Sequence, residues 1–367
     1  MVEWKNLGEV ISVHTGKQLN RSGLSEEGAY PVINGGRTPS GYTSTYNENK
    51  DTITISQGGE SAGFVNWIDT AFWAGAHCYV VENSSSQNLR FLFHLLKKYE
   101  YSIMNSKQGA GIPGLNRKNL YLISVPIPSL SEQSHIVGIL DTFTEGIENL
   151  KKQIEQRRKQ YEYYRDQLLD LEGKPNADVV PFGSMCEMIK GNGVQKTDFV
   201  EHGIGCIHYG QIYTHYGSYT YTTNKFVSKE VFMKAKKASK GDIIMTDTSE
   251  NVEDICKSVA YLGEDDIAVS NHALIIKHEQ NPKYLSYSTL TRSFFNQKRK
   301  VVFGVKVSGI KPEHLAQIQI YLPSLDEQSR IVSILDQFES SISNLEMQLA
   351  QRQKQYEYYR NKLLTFE

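Results

Sequence analysis

A gapless internal repeat constrains this chain more than any other feature of its sequence. When the sequence is shifted by 195 positions, residues 128–172 align with residues 323–367, and 28 of the 45 aligned positions are identical. The identities include residues 160–165 and 355–360, both of which have the sequence QYEYYR. Chance does not produce such a match. The chain therefore contains a duplicated segment, and we expect its two copies to fold alike.

Each copy of the repeat is predicted to form a long helix. A Ser-x-x-Glu capping box opens each copy, at Ser129 with Glu132 and at Ser324 with Glu327, directly after a proline. Apolar side chains then recur in alternating steps of four and three, which is the period of a coiled coil. We expect the two helices to pair antiparallel, because two related segments pack most simply about a twofold axis. The predicted seam comprises Leu140, Ile147, Ile154, Arg157, Tyr161, Leu335, Ile342, Leu349, Arg352 and Tyr356.

Two arginines, Arg157 and Arg352, occupy equivalent positions of this seam. A long cation in a seam weakens the pairing but fixes its register. Alternatively, both side chains run along the edge of the seam and keep their guanidinium groups in water. The sequence leaves these two alternatives open.

The segments that precede the helices diverge more than the helices do. Both carry short alternating strands, such as residues 51–55, separated by clusters of Gly, Asn and Pro that are typical of turns. Helices are expected over residues 89–101 and 284–298. The predicted fold is α+β: two mixed, strand-rich domains, which we call heads, separated by two long helices that pair as an antiparallel coiled coil. The predicted segments are head 1 (1–127), spacer helix 1 (128–177), head 2 (178–322) and spacer helix 2 (323–367).

Composition excludes several classes of protein. The four cysteines lie far apart without a CxxC pair, which argues against a metal site and against a disulfide scaffold. No run of about eighteen apolar residues and no charged-then-apolar leader is present, so we expect a cytoplasmic protein without a membrane span. The net charge of −1 gives no argument for nucleic-acid binding, so the distribution of charge matters more than its sum.

No catalytic centre is predicted. Residues 109–114 match the dinucleotide-binding pattern GxGxxG, but Pro113 would break the helix that must present its N-terminus to a pyrophosphate. A P-loop, a zinc-protease pattern and a nuclease cluster are absent from the sequence. His77 and His272 lie at equivalent places in the two heads, and we predict that both are core residues with satisfied hydrogen bonds rather than metal ligands.

Cationic segments in the two heads are candidates for contact with nucleic acid. No acidic residue interrupts the segment between Glu279 and Glu313 or the shorter one between Glu100 and Glu132. A solvated loop face is the alternative interpretation of such a run. The candidate DNA-binding residues are Gln57, Gly58, Lys107, Gln108, Arg117, Lys118, Lys225, Lys298, Arg299, Lys300 and Lys306.

The architecture of head, Pro-x-Leu-x-Glu-Gln helix, second head and second such helix resembles the specificity subunits of type I restriction-modification enzymes. The resemblance spans essentially the whole chain. It is carried by residues 128–133 (PSLSEQ) and 323–328 (PSLDEQ), and by residues 55–63 and 108–115 of head 1. Head 2 departs from the family pattern at residues 245–251, which puts the loop contacts there in doubt.

The resemblance implies a DNA-recognition subunit without catalytic activity. Each head would bind half of a bipartite double-stranded DNA target, and the helices would dock two modification (methyltransferase) subunits, with Glu132, Gln133, Glu327 and Gln328 as candidate docking residues. It implies no cofactor on this chain, whereas S-adenosylmethionine, ATP and Mg would serve the modification and restriction subunits. A coiled-coil scaffold whose heads bind proteins is the alternative.

Overall fold

The computed structural model describes residues 2–107, 113–170, 179–304 and 307–366. The chain forms two compact units. Unit 1 comprises Met1–Lys152 and Glu346–Glu367, and unit 2 comprises Gln153–Leu345. Each unit therefore combines one head with parts of both long helices, which are α4 (Leu130–Leu169) and α10 (Leu325–Leu363).

Unit 1 is built on an antiparallel sheet of four strands in the order β2-β8-β5-β6. A three-stranded sheet, β4-β3-β7, and the pair β1-β9 complete the head. The helices of head 1 are α1 (Leu7–Val10), α2 (Leu89–Asn105) and α3 (Arg117–Tyr121). Its strands are β1 (Glu3–Asn6), β2 (Ile11–Thr15), β3 (Tyr30–Ile33), β4 (Tyr42–Thr43), β5 (Thr52–Ser56), β6 (Val65–Ile68), β7 (Trp73–Ala74), β8 (Cys78–Asn83) and β9 (Ser124–Ile127).

Unit 2 repeats this arrangement and enlarges it. Its main sheet, β11-β21-β17-β19-β14, corresponds to the main sheet of unit 1 with one added strand, and β10-β23 corresponds to β1-β9. A second sheet, β12-β15-β13-β20-β16, has in β15-β13-β20 the same strand directions as β4-β3-β7, with one strand added at each edge, and β18-β22 is a further pair. The strands are β10 (Val179–Pro181), β11 (Cys186–Lys190), β12 (Phe199–Val200), β13 (Ile204–Ile207), β14 (Tyr219–Thr220), β15 (Lys225–Val227), β16 (Lys236–Ala238), β17 (Ile243–Thr246), β18 (Thr248–Ser249), β19 (Ser258–Tyr261), β20 (Ile267–Val269), β21 (Ala273–His278), β22 (Ser308–Gly309) and β23 (Gln319–Tyr321); the helices are α5 (Tyr209–Thr214), α6 (Lys229–Lys234), α7 (Pro282–Ser288), α8 (Arg292–Val301) and α9 (Pro312–Leu315).

The helix predicted over residues 284–298 is two helices, α7 and α8. The break lies at Thr291, whose side chain accepts a hydrogen bond from the amide of Phe294 and so caps a new helix. A threonine hydroxyl that bonds the backbone in this way competes with continuation of the preceding helix. The strand predicted over 51–55 is Thr52–Ser56, and its Ile53 and Ile55 are fully buried.

The predicted antiparallel pairing of the long helices is confirmed within each unit. In unit 1, Phe143 of α4 stacks on Tyr359 of α10 with ring centroids 5.1 Å apart. In unit 2 the equivalent pair, Phe338 and Tyr164, stacks at 5.4 Å. Five of the ten predicted seam residues are buried, and Leu140 and Leu335 are fully buried, because the 3.5-residue period keeps one stripe against the partner helix.

The seam arginines lie beside aromatic rings of the opposite helix. The guanidinium carbon of Arg157 is 5.9 Å from the ring centroid of Phe338, and that of Arg352 is 5.5 Å from Phe143. Arg352 is exposed and Arg157 is half-buried. This favours the alternative in which the aliphatic stems run along the seam edge while the charged ends reach solvent.

Candidate nucleic-acid interface

In head 1, three loop segments converge at one end of the main sheet. The amide of Gln57 donates to the carbonyl of His77 (2.9 Å), and the amide of Leu115 donates to the carbonyl of Gln57 (2.7 Å). Gly58 and Gly114 form an isolated β-bridge. Gly59 has a φ of +78°, which glycine adopts without strain. We call residues 57–60, 77 and 113–117 rim 1.

Several of the predicted binding residues of head 1 lie at rim 1. The side-chain amide of Gln57 donates to the hydroxyl of Tyr79 (3.0 Å), and the guanidinium of Arg117 lies over the Tyr79 ring at 5.7 Å. Lys107 Nζ donates to the carbonyl of Glu60 (3.2 Å). Lys118 follows Arg117 on α3 and is exposed. The structure thus brings Gln57, Gly58, Lys107 and Arg117 together, whereas Gln108 lies outside the described residues.

Head 2 carries the same backbone framework with different side chains. The amide of Asp247 donates to the carbonyl of His272 (3.2 Å), and the amide of Ile310 donates to the carbonyl of Asp247 (3.1 Å). The pairing of β18 with β22 replaces the glycine bridge of head 1. Residues 247–250, 272 and 308–311 are therefore the counterpart of rim 1, and we call them rim 2.

Asp247 is the residue of rim 2 that sequence reasoning missed. It is the structural equivalent of Gln57, but the two heads differ in loop length, so the 195-residue offset that aligns His77 with His272 does not align these two positions. Its buried carboxylate forms an ion pair with Lys190 Nζ at 3.1 Å. The equivalence was visible only after the strand pairing was known.

His77 and His272 are exposed, so the prediction that both are core residues was wrong. Each lies directly before a strand of the main sheet, β8 or β21, at the rim. The backbone of each is hydrogen-bonded, and this accounts for the repeated position, whereas the imidazole rings face away from the core. Their repetition reflects the framework of the rim rather than packing.

Lys298 does not belong to an exposed cationic surface, which corrects its prediction as a phosphate contact. It is 5% exposed, and its Nζ donates to the carbonyls of Glu253 (2.8 Å) and Ile255 (2.6 Å). Burial lowers the pKa of this amine. Its neighbours Arg299 and Lys300 are exposed at the end of α8 and stay candidates.

Two further candidates of head 2 lie apart from these contacts. Lys225 is exposed on β15 of the second sheet, with its Nζ 5.8 Å from the ring centroid of Phe199. The described contacts of Lys225 do not include rim 2. Lys306 lies outside the described residues.

Gln133 and Gln328 are fully buried, so their side chains are not available to a partner, and this corrects their prediction as docking residues. Gln133 Oε1 accepts from the amide of Asn88 (2.9 Å), and its Nε2 donates to the carbonyl of Pro128 (2.9 Å) and to Gln87 Oε1 (2.6 Å). Gln328 makes the same three hydrogen bonds in unit 2, to Asn281, Pro323 and Gln280 at 3.0, 2.8 and 2.9 Å. Each glutamine therefore ties a head to the start of its helix.

A second joint in unit 1 centres on His94. Its Nε2 lies 2.8 Å from Asp141 Oδ1 and its Nδ1 lies 2.9 Å from the hydroxyl of Tyr356. Arg90 forms an ion pair with the same aspartate. Burial lowers the pKa of His94, although the hydrogen bond to Asp141 opposes this. The imidazole therefore links α2 of the head to both long helices in its neutral form.

The equivalent joint in unit 2 uses different chemistry. The hydroxyl of Tyr287 donates to Asp336 Oδ1 (2.7 Å) and lies 2.9 Å from Glu339 Oε2, and Lys283 pairs with Asp336 at 2.8 Å. The hydroxyl of Tyr161 donates to Glu339 Oε1 (3.3 Å). Burial raises the pKa of Glu339. Both joints are thus built around a titratable group that burial keeps toward its neutral form.

The surface of the long helices repeats as well. Glu132 is exposed and Glu327 is partly exposed. Leu130 and its equivalent Leu325 are 56% and 54% exposed, and Tyr163 and Tyr358 are 61% and 59% exposed. Exposed apolar side chains therefore recur at equivalent positions near the start and near the end of each long helix.

The described residues hold no group of three or more His, Cys, Asp or Glu side chains that could bind a metal ion. Burial raises the pKa of the thiols of Cys78, Cys206 and Cys256 to about 12, and that of Cys186 to about 11. None of these four is a thiolate near neutral pH, so none is an activated nucleophile. Among the helices of the described ranges, none has the length and apolar character needed to cross a membrane.

Comparison with known proteins identifies relatives along the whole chain. A family model described as type I restriction modification DNA specificity domain matches residues 1–157 and 179–352. A protein of Haemophilus influenzae named as a type I restriction enzyme specificity subunit is 30% identical over 390 residues, covering 100% of this chain and 96% of the relative. A type I restriction enzyme specificity subunit of Escherichia coli is 26% identical over 399 residues, covering 100% and 94%.

A solved structure shares the fold. The crystal structure of the S subunit of a type I restriction-modification system from M. genitalium has a TM-score of 0.62 with this chain at 17% sequence identity, covering 100% of this chain and 97% of that one. At this level of identity the likeness shows the architecture, which is that of two heads with paired long helices.

Proposed function

Because this chain belongs to the type I restriction-modification DNA specificity family, we propose that its two heads each bind one half of a bipartite double-stranded DNA target. One observation carries the proposal: the two rims share a backbone framework but are built on different residues, the partly exposed Gln57 in rim 1 and the buried Asp247 in rim 2, so that their exposed side chains have different surroundings. A shared framework keeps the geometry of docking, and different side chains select different base edges. Two unlike rims fit an asymmetric, divided target.

The rims contain groups suited to both kinds of DNA contact. Lys107 and Arg117 beside rim 1, and Arg299 and Lys300 on α8 of head 2, are cations that suit phosphate contacts. Phosphate contacts position a protein, whereas side chains such as glutamine discriminate base edges through paired donor and acceptor atoms. The rim side chains are therefore proposed to determine specificity, and the flanking cations to determine affinity.

The long helices are proposed to dock two modification subunits. The support is the recurrence of exposed apolar side chains at equivalent positions of the two copies, with Leu130 matched by Leu325 near the helix starts and Tyr163 by Tyr358 near the helix ends. Glu132 and Glu327 lie two residues after Leu130 and Leu325. Two nearly identical surfaces on one chain suit two copies of one partner. Restriction subunits would join through that assembly.

We further propose that the chain is not itself catalytic and binds no cofactor. S-adenosylmethionine would bind to the modification subunits, and ATP and Mg would act with the restriction subunits. The high pKa values of the four thiols argue against covalent catalysis by cysteine, and in this respect they support the proposal. Methyl transfer or DNA cleavage by the purified chain would contradict the proposal.

The chain should be expressed with its modification subunit, and the methylated sites of the host genome should be mapped. The expected result is one divided sequence with two unlike halves separated by a constant gap. Binding to the mapped duplex should weaken steeply with salt, with a slope close to −0.9 per phosphate contact. The double variant R299A/K300A should reduce that slope by about two units. Salt-independent binding, or the absence of a common methylated sequence, would favour a scaffold whose heads bind proteins.

A further inference from the structure

Rim 2 contains a buried carboxylate that is only partly satisfied. Asp247 is 4% exposed, and one of its oxygens, Oδ2, pairs with Lys190. The other oxygen, Oδ1, is buried without a hydrogen-bond partner. An unpaired acceptor in a buried position costs about 1–3 kcal/mol, so its presence in a native fold points to a missing donor.

The imidazole of His272 lies close to this oxygen. Its Nδ1 lies 4.0 Å from Asp247 Oδ1, and its side chain is 52% exposed. His272 has a φ of +61°, in the left-handed region that non-glycine residues adopt at a cost. Hydrogen bonding at about 2.8 Å would require a shift of about 1 Å, which a side-chain rotation of an exposed ring supplies.

Other charged and titratable groups face this pair. Lys190, from β11, holds Asp247 Oδ2, and the ring of Tyr209 packs edge-on against His272 with centroids 5.3 Å apart. The ring of His208 lies tilted against that of Tyr209, with centroids 4.5 Å apart. Burial, followed by the charges of Lys196 and His272, lowers the pKa of His208. His208 therefore stays neutral, and His272 is the histidine of this group that is open to solvent.

We propose that His272 takes up one proton when head 2 binds DNA, donating through Nδ1 to Asp247 Oδ1 and through Nε2 to an acceptor atom of the DNA. This inference rests on the proposed function and assigns a role to rim 2. A neutral imidazole donates from one nitrogen only, whereas the protonated ring donates from both. The proton comes from solvent, and no bond is broken. Asp247 is a positioning residue, because it acts on the DNA through His272.

Head 1 provides a natural control. His77 occupies the equivalent exposed position, but the residue in the place of Asp247 is Gln57, which carries no charge. Its side-chain amide is held by Tyr79. A protonated His77 would therefore lack the anionic partner that stabilises the second charge. Proton uptake is expected at rim 2 and not at rim 1.

The test uses the chain in complex with its modification subunits and a randomised duplex library. The duplex most enriched by binding at about pH 7 is then used in calorimetry at constant ionic strength, in two buffers of different ionisation enthalpy. The wild-type complex should take up about one proton, and its affinity should fall by up to about tenfold per pH unit as the pH rises. D247N and H272N should abolish both effects, whereas the matched head 1 variant H77N should retain them.

The outcomes separate the two proposals. An enriched duplex that binds without proton uptake, or undiminished uptake by D247N in a folded complex, overturns the inference and leaves the proposed function standing. A library from which no sequence is enriched contradicts the proposed function itself. If H272N weakens binding only to duplexes with one particular base pair, the acceptor is a base edge; uniform weakening with a smaller salt slope identifies a phosphate. In both cases, loss of the proton uptake in H272N supports the protonated histidine.

Discussion

Replacement of Gln133 by methionine tests whether the buried glutamines hold the heads to the long helices. The substitution conserves side-chain length but removes all three hydrogen bonds that Gln133 makes. It leaves the carbonyl of Pro128 and the amide of Asn88 without partners, and each such loss costs about 1–3 kcal/mol. Burial of the apolar methionine offsets about 1 kcal/mol. We expect Q133M to lower the free energy of unfolding by about 1–5 kcal/mol.

The repeat turns this estimate into a sharper test. Gln328 makes the same bonds in unit 2, so Q328M should cost the same as Q133M to within about 1 kcal/mol, and the two losses should add because the sites share no partners. E132Q, at the exposed neighbouring position, should change stability by less than about 0.5 kcal/mol. Urea denaturation followed by circular dichroism gives the free energy of unfolding of the wild type, Q133M, Q328M, the double variant Q133M/Q328M and E132Q. A loss below about 0.5 kcal/mol for Q133M would refute the reasoning.

Three further predictions concern other parts of the chain. K298A should lower the free energy of unfolding by about 1–3 kcal/mol, because the buried carbonyl of Ile255 and the partly buried carbonyl of Glu253 lose their donor. R299A and K300A should leave stability unchanged and weaken DNA binding, so denaturation and salt titration distinguish the two effects. Acidification from about pH 7 to about pH 5 should increase hydrogen exchange in α2 and decrease it in α7. The pKa of His94 is lowered in the folded state, so its contribution to stability falls as the pH drops below the ordinary histidine pKa of 6.5. The pKa of Glu339 is raised in the folded state, so its contribution to stability rises as the pH falls toward the ordinary glutamate pKa of 4.5. Deletion of seven residues from each long helix keeps the seam in phase and removes about 10 Å of helix. The gap between the two halves of the methylated sequence should then shorten by about three base pairs. An unchanged gap would show that the long helices do not set its length.

The helices and their pairing were predictable because their signal is periodic and repeated. A strict 3.5-residue spacing has one structural solution, and the 195-residue repeat supplies the partner. The stacking of Phe143 on Tyr359 and of Phe338 on Tyr164 follows directly from that pattern. Local and repeated information was sufficient for this part of the fold.

The polar positions were less predictable because burial of a single polar side chain depends on distant parts of the chain. Gln133 lies three residues before Ile136 and so continues the steps of the seam, but the groups that satisfy its side chain include the amide of Asn88, which is far away in the sequence. Lys298 lies in a run of three cations, of which only the first points inward to the carbonyls of Glu253 and Ile255. Asp247 gains its place in rim 2 from its hydrogen bonds to His272 and Ile310, which are far away in the sequence.

The discontinuity of unit 1 has a consequence for how the chain folds as it is made. Tyr356, which bonds His94, belongs to a segment that the ribosome adds after all of unit 2. At about 5–20 residues per second, the intervening segment of about 190 residues takes roughly 10–40 s to synthesise. Throughout that interval the apolar surface that receives Leu349, Leu363 and Leu364 is uncovered. Unit 1 therefore cannot complete its core until the end of α10 has been synthesised. We expect this unit to be the part of the nascent chain that is most prone to aggregation and that benefits most from a chaperone.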